Sequence, residues 1–109
     1  MGHEYQDRVS LEIHRRVAAG LAARADWMTL ARENLARWME RNTEAPGLMR
    51  CYREWLEILD RSTVDQVCAI VTAETDEGQR LRQNSPFVGM LGPREVWEIK
   101  RTLREAEAA

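Results

Sequence analysis

Apolar side chains in this chain return every third or fourth residue, and only one short stretch could be read as a strand. Ile13, Val17 and Leu21 stand four apart, with Leu11, His14 and Ala18 beside them and Glu12, Arg15 and Arg16 opposite. The segment from about Asp7 to Arg24 is therefore expected to be one amphipathic helix. After it, Asp26 is a candidate N-cap for a helix whose stripe is Trp27, Ala31, Asn34, Leu35 and Trp38, with Arg32, Glu33, Arg37 and Arg41 set away from that stripe. NTEAPG, Asn42 to Gly47, breaks the pattern with Pro46 and Gly47.

A third helix is expected from about Leu48 to Asp60, carrying Cys51, Tyr52, Trp55, Leu56 and Leu59 on one face. Ser62 or Thr63 caps a fourth, and the Ser62 to Asp65 spacing resembles a capping box with the shorter acid. Val64, Val67, Cys68 and Val71 give this segment a buried face. The β-branched run VCAIVTAET admits a strand, but its length and capped start favour helix. Thr75 or Asp76 opens a short helix to about Gln83, NSPFVGMLG cannot be regular, and Pro93 starts a last helix with Val96, Trp97, Ile99, Lys100 and Leu103. The expectation is an all-α, small compact bundle of five to six helices, one domain over residues 1–109 with about 1–6 and 106–109 frayed.

Charge and residue usage narrow the function classes. Sixteen basic and 18 acidic residues give a net charge of −2, so no overall positive field attracts nucleic acid. Fifteen of the 16 basic residues are arginine, which suits forked carboxylate pairs and stacking, although a GC-rich genome produces the same skew. Four tryptophans against one phenylalanine hint at a contact surface, because an indole N–H seeks a partner at the margin of a core. Cys51 and Cys68 sit within helical patterns and read as reduced thiols in a reducing compartment. No apolar run is long enough for a membrane span and the start MGHEYQDR has no signal-like core, so a cytoplasmic protein is expected.

Motifs for chemistry are sparse. Two histidines and two cysteines occur without CxxC, HxxxH or HExxH spacing, and His3 stands in the terminal segment, so no metal site is expected. GxxxxGK[ST] and GxGxxG are absent, and GMLGP has neither a preceding strand nor a following lysine. His14 is the one well-placed candidate base. On an apolar stripe it is better read as a half-buried residue bonded to the core, and Asn34 as a side chain bonded to backbone in the connecting loops. Glu54 with Glu57, and Asp76 with Glu77, are ordinary features of a solvated face and a first turn. Alternation of Arg32, Arg37 and Arg41 with Glu33 and Glu40 likewise fits a salt-bridged surface better than a phosphate-facing helix.

What remains is RLRQNSPFVGMLGPREVW, Arg80 to Trp97. Pro86 holds Ser85 extended, which leaves Phe87, Val88, Met90 and Leu91 on irregular backbone. Such a cluster either caps the open end of the bundle or meets another protein, and the cap is the more common use. Arg80 and Arg82 point to different faces, so at most one of them can bind the carbonyls of the loop.

These residues also carry a resemblance. LEIHRRVAAGL, ARENLARWMERN, YREWLEIL and, most specifically, LRQNSPF followed by GPREVW resemble a helical module of bacterial proteins assigned as antitoxins and regulators. In that family the module often follows a Cro/repressor-type helix-turn-helix domain, in chains encoded beside a toxin. The resemblance covers about Leu11 to Leu103. It departs in two ways: this chain leaves no room for a helix-turn-helix domain, and Gly92 stands where the family has Ser before the proline. It implies a non-enzymatic, antitoxin-like protein-binding module that neutralises or regulates a partner protein, such as a toxin encoded nearby, with a homodimer as a further option. Arg82, Gln83, Phe87, Met90 and Trp97 are the expected partner contacts, and no catalytic, cofactor or metal site is expected. Nucleic acid is not expected as a partner of this chain alone. The alternatives are a DNA-binding accessory protein using the helix around Arg32 to Arg41, and a small enzyme using His14.

Overall fold

Tyr5 and Val9 decide where the first helix begins. The Tyr5 hydroxyl donates to the Lys100 carbonyl at 3.1 Å and Val9 is buried, so the turn before Asp7 is covered by the last helix and stays helical. The computed structural model describes residues 3–108. Among them run six helices and no strand: α1 (His3–Leu21), α2 (Asp26–Arg41), α3 (Pro46–Arg61), α4 (Val64–Val71), α5 (Asp76–Gln83) and α6 (Pro93–Ala108). The protein is an all-α bundle. Its radius of gyration, 14.3 Å, is close to the roughly 13 Å of a compact chain this long.

Local chemistry explains most boundaries, and several differ from expectation. α1 starts at His3 and not near Asp7, and it ends at Leu21, where the Gly20 carbonyl accepts from the backbone N–H groups of Ala23 and Arg24 and turns the chain. Asp26 does not cap α2. Ala25 occupies the cap position in a helical conformation, while the Asp26 carboxylate pairs with Arg24. α3 begins at Pro46, since proline at the first helical position gives up an N–H that would have no partner. The box that opens α4 is Thr63 with Gln66, each side chain bonded to the other's backbone N–H, and not Ser62 with Asp65. Thr75 caps α5 by accepting from the Gly78 N–H at 3.0 Å. α6 opens at Pro93 as expected, and residues 106–108 continue it; residues 1, 2 and 109 lie outside those described.

α1 is the axis, in contact with α4, α5 and α6, while α2 and α3 pair as a helical hairpin. One core joins the two parts. Val17 and Leu21 of α1, Ala31 and Leu35 of α2, Trp55 and Leu59 of α3 and Val67 and Val71 of α4 are all nearly inaccessible. Each of the valines and leucines among them contributes about 1.5–3 kcal/mol of burial. The connection from α5 to α6 seals this core. Phe87 is 1 % exposed and meets Trp55 edge-on, with centroids 6.1 Å apart and planes at 78°. Trp55 in turn donates its indole N–H to the Leu81 carbonyl at 3.0 Å.

Candidate functional site

Three polar side chains hold α5 and the connection that follows it in place. Asn34 of α2 donates its amide to the Pro86 carbonyl at 2.9 Å, the kind of loop contact its place on an apolar stripe called for. His14 of α1 is 4 % exposed. Its Nδ1 lies 2.7 Å from the Ser10 carbonyl and its Nε2 lies 2.8 Å from Ser85 Oγ. A carbonyl can only accept, so Nδ1 carries the proton; in the neutral ring Nε2 then accepts the Ser85 hydroxyl. Ser85 Oγ also accepts from the Phe87 N–H at 3.1 Å. Burial pushes the His14 pKa down, the Ser10 carbonyl pulls it back in part, and the charge of Arg82 lowers it further.

A histidine holding a serine hydroxyl is a nucleophile–base geometry. Here Ser85 is 2 % exposed and its oxygen already takes the Phe87 N–H, so the pair acts as a clamp between α1 and the loop.

Arg82 forms the third support. Its guanidinium donates to the Ala73 carbonyl at 2.7 Å and to the Val71 carbonyl at 3.2 Å, the last carbonyls of α4 and the start of the link that follows. Arg80 lies on the other face of α5, paired with Glu54 and Glu77, and its guanidinium holds the Glu54 carboxyl below the usual carboxylate range. Neither arginine binds the carbonyls of the loop, and both are engaged within the chain.

The five expected partner contacts therefore separate. Arg82 and Phe87 are turned inward and nearly inaccessible, one bonded to carbonyls and the other packed on Trp55, so both support the fold. Met90 is half-buried against the core. Gln83 is exposed at a depression that Trp38, Tyr52 and Val88 also line. Among the described residues Trp97 is the most exposed large apolar side chain, at 60 %, with the Arg101 guanidinium 5.4 Å above its ring; Val88 follows at 53 %.

Between α1, the loop and α6 lies a cleft of about 520 Å³. Val9 and Ile13 come from α1, Phe87, Val88 and Leu91 from the loop, and Val96, Lys100 and Arg104 from α6. A smaller depression beside Trp97 on α6 shares Lys100 and Arg104 with it. Sequence reasoning did not single out Arg104 or Tyr5. The signal was the Val96, Lys100, Arg104 spacing of four, which puts one apolar and two basic side chains on a single helical face.

Elsewhere, Arg32 donates to Asp60 and to the Leu59 carbonyl, and Arg37 to Asn34, so two of the three arginines of the basic helix are engaged within the chain. Cys51 and Cys68 are free thiols; Cys68 donates to the Ala18 carbonyl at 3.4 Å, and burial raises its pKa. Among the described residues no cluster of His, Cys, Asp and Glu could hold a metal ion, and no helix is long and apolar enough to cross a membrane. No family model, curated protein or solved structure matches the chain.

Proposed function

We propose that this protein is a non-enzymatic protein-binding module of the cytoplasm, antitoxin-like, that neutralises or regulates a partner protein by covering it. The observation that carries this reading is Trp97, held 60 % exposed on α6 with Arg101 stacked on it. An indole fixed in the open by a cation is ready for a contact at little entropic cost, and tryptophan and arginine are the side chains that most often anchor interfaces. Val88, 53 % exposed, and Gln83 extend the surface onto the loop. Burial of Arg82 and Phe87 moves the contact outward from the loop interior to this rim. The resemblance of LRQNSPF and GPREVW to the antitoxin-associated module points to the same class of partner.

The test is co-expression with the neighbouring reading frame. That product expressed alone should arrest growth, and co-expression of this protein should restore growth and yield a purified complex of defined stoichiometry. A neighbouring product that forms no complex with this chain, together with strictly monomeric behaviour and no specific partner from the native host, contradicts the proposal.

A further inference from the structure

The cleft between α1 and α6 has a charge that the chain as a whole does not. Acidic residues outnumber basic ones 18 to 16, yet among the described residues no carboxylate side chain lines the cleft, whereas Arg82, Lys100 and Arg104 do. Arg82, at the inner wall, is offset by Asp7 and Glu74, which lie near it on the side of a neighbouring depression. The uncompensated charge is that of Lys100 and Arg104.

The pairing of α1 with α6 makes this selective. Arg8 pairs with Glu107 and Arg16 with Glu95, so the helices are joined by ion pairs on either side. Lys100 and Arg104, in the stretch between Glu95 and Glu107, form no ion pair among the described residues; Arg104 rests only on the face of Tyr5, 5.7 Å from the centroid. Beneath them the cleft is apolar, with Val9, Ile13, Leu91 and Val96 as walls. His14, which also lines it, has both ring nitrogens bonded inside the protein. A concave apolar site of about 520 Å³ with a few convergent polar groups has the dimensions of a small-molecule site.

From this we infer that the cleft binds a small amphipathic carboxylate, an organic monoanion whose apolar body lies on Val9, Ile13, Leu91 and Val96 and whose carboxylate meets Lys100 and Arg104. Charge complementarity selects an anion, and the apolar walls select its body over an inorganic ion, which would lose its hydration there. The site shares Lys100 and Arg104 with the depression beside Trp97 but takes its apolar walls from α1, the loop and Val96, and it does not depend on the identity of a protein partner.

Lys100 is the only lysine in the chain, which supplies a direct probe. Reductive methylation with 13C-formaldehyde places one side-chain dimethylammonium signal at the mouth of the cleft, with its charge kept. Decanoate, titrated below its micelle concentration, should shift that signal together with the backbone amides of Val9, Ile13, Leu91 and Val96. Octanoate should bind about tenfold more weakly, as expected for two fewer buried methylenes. Decanol should bind at least about tenfold more weakly than decanoate, and Lys100→Gln or Arg104→Gln should each weaken decanoate by about tenfold, the loss of a charge-assisted hydrogen bond. Both positions are exposed, so the variants fold. Val96→Trp, which fills the cleft and keeps both charges, should abolish binding. The inference is overturned by an absence of shifts with decanoate, by shifts confined to the Trp97 side of α6, by equal binding of decanol, or by undiminished binding in the Lys100→Gln/Arg104→Gln double variant.

Discussion

His14 Nε2 and Ser85 Oγ lie 2.8 Å apart, 71 residues apart in the chain, and this contact ties the loop between α5 and α6 to the central helix. The bond runs on from Ser85 Oγ to the Phe87 N–H, so the placement of one imidazole fixes both the loop backbone and the side chain that plugs the core.

Replacing His14 with alanine removes a buried ring and leaves the Ser10 carbonyl and Ser85 hydroxyl without their partner. The expected cost is about 2–4 kcal/mol, from the void and the unpaired groups together. Urea unfolding of the variant should show a lowered midpoint with an unchanged slope. Ser85→Ala should cost about 1–3 kcal/mol, since the Phe87 N–H then has no acceptor.

The same histidine sets a pH dependence. Its pKa is depressed in the folded state by burial, so below about 6.5, its ordinary value, the unfolded chain takes up a proton that the folded chain resists. Stability contributed by the neutral ring is thus complete above that value and falls as pH drops through it towards the lower folded value. Protonation would also put a second donor against Ser85 and a positive charge near Arg82. Thermal melts between pH 7.5 and 5 should show a falling midpoint for the wild type, with a smaller fall for His14→Gln over the same range.

Phe87→Ala should destabilise by about 3–5 kcal/mol, because Phe87 is enclosed and meets Trp55 edge-on. Trp55 fluorescence should report the loss, since its ring is 1 % exposed in the native protein. Removing Val88, the adjacent residue, should change stability by less than about 0.5 kcal/mol, since it is 53 % exposed.

Gly78 and Arg82 act on one carbonyl. Arg82 donates to Ala73 O, and a methyl group at Gly78 would press on that same oxygen. Gly78→Ala should therefore destabilise, although alanine ordinarily improves a helix by about 1 kcal/mol over glycine. Arg82→Met, which keeps the apolar stem of the side chain but not its donors, should cost about 1–3 kcal/mol by leaving two carbonyls unpaired. Chemical denaturation of both variants checks the pair.

The helices were legible in the sequence because each needs one stripe that packs, and the spacing of Val17, Leu21, Trp55 and Leu59 carries that stripe directly. The inward use of Asn34 and His14 was legible too, since a polar group on such a stripe must be bonded within the fold. Boundaries were less so. The start of α1 depends on Tyr5 reaching α6, a contact between residues 95 positions apart that no local window contains. The role of Arg82 was missed for the same reason. Its acceptors are backbone carbonyls, and carbonyls leave no mark on residue identity. The loop cluster was divided by side: Phe87 inward, Val88 outward, Met90 between them, which composition alone does not distinguish. The Lys100 and Arg104 face could have been read from spacing, but not that Glu95 and Glu107 of α6 are spent on α1.

The most direct test of partner binding through the outer face of α6 is the affinity of wild type and Trp97→Ala for the product of the neighbouring reading frame, measured by titration calorimetry. The account predicts a complex that Trp97→Ala weakens about thirtyfold or more, as for an interface anchor, with the unfolding midpoint of the free variant unchanged. Equal affinity of the two proteins, or no complex with wild type, would contradict it.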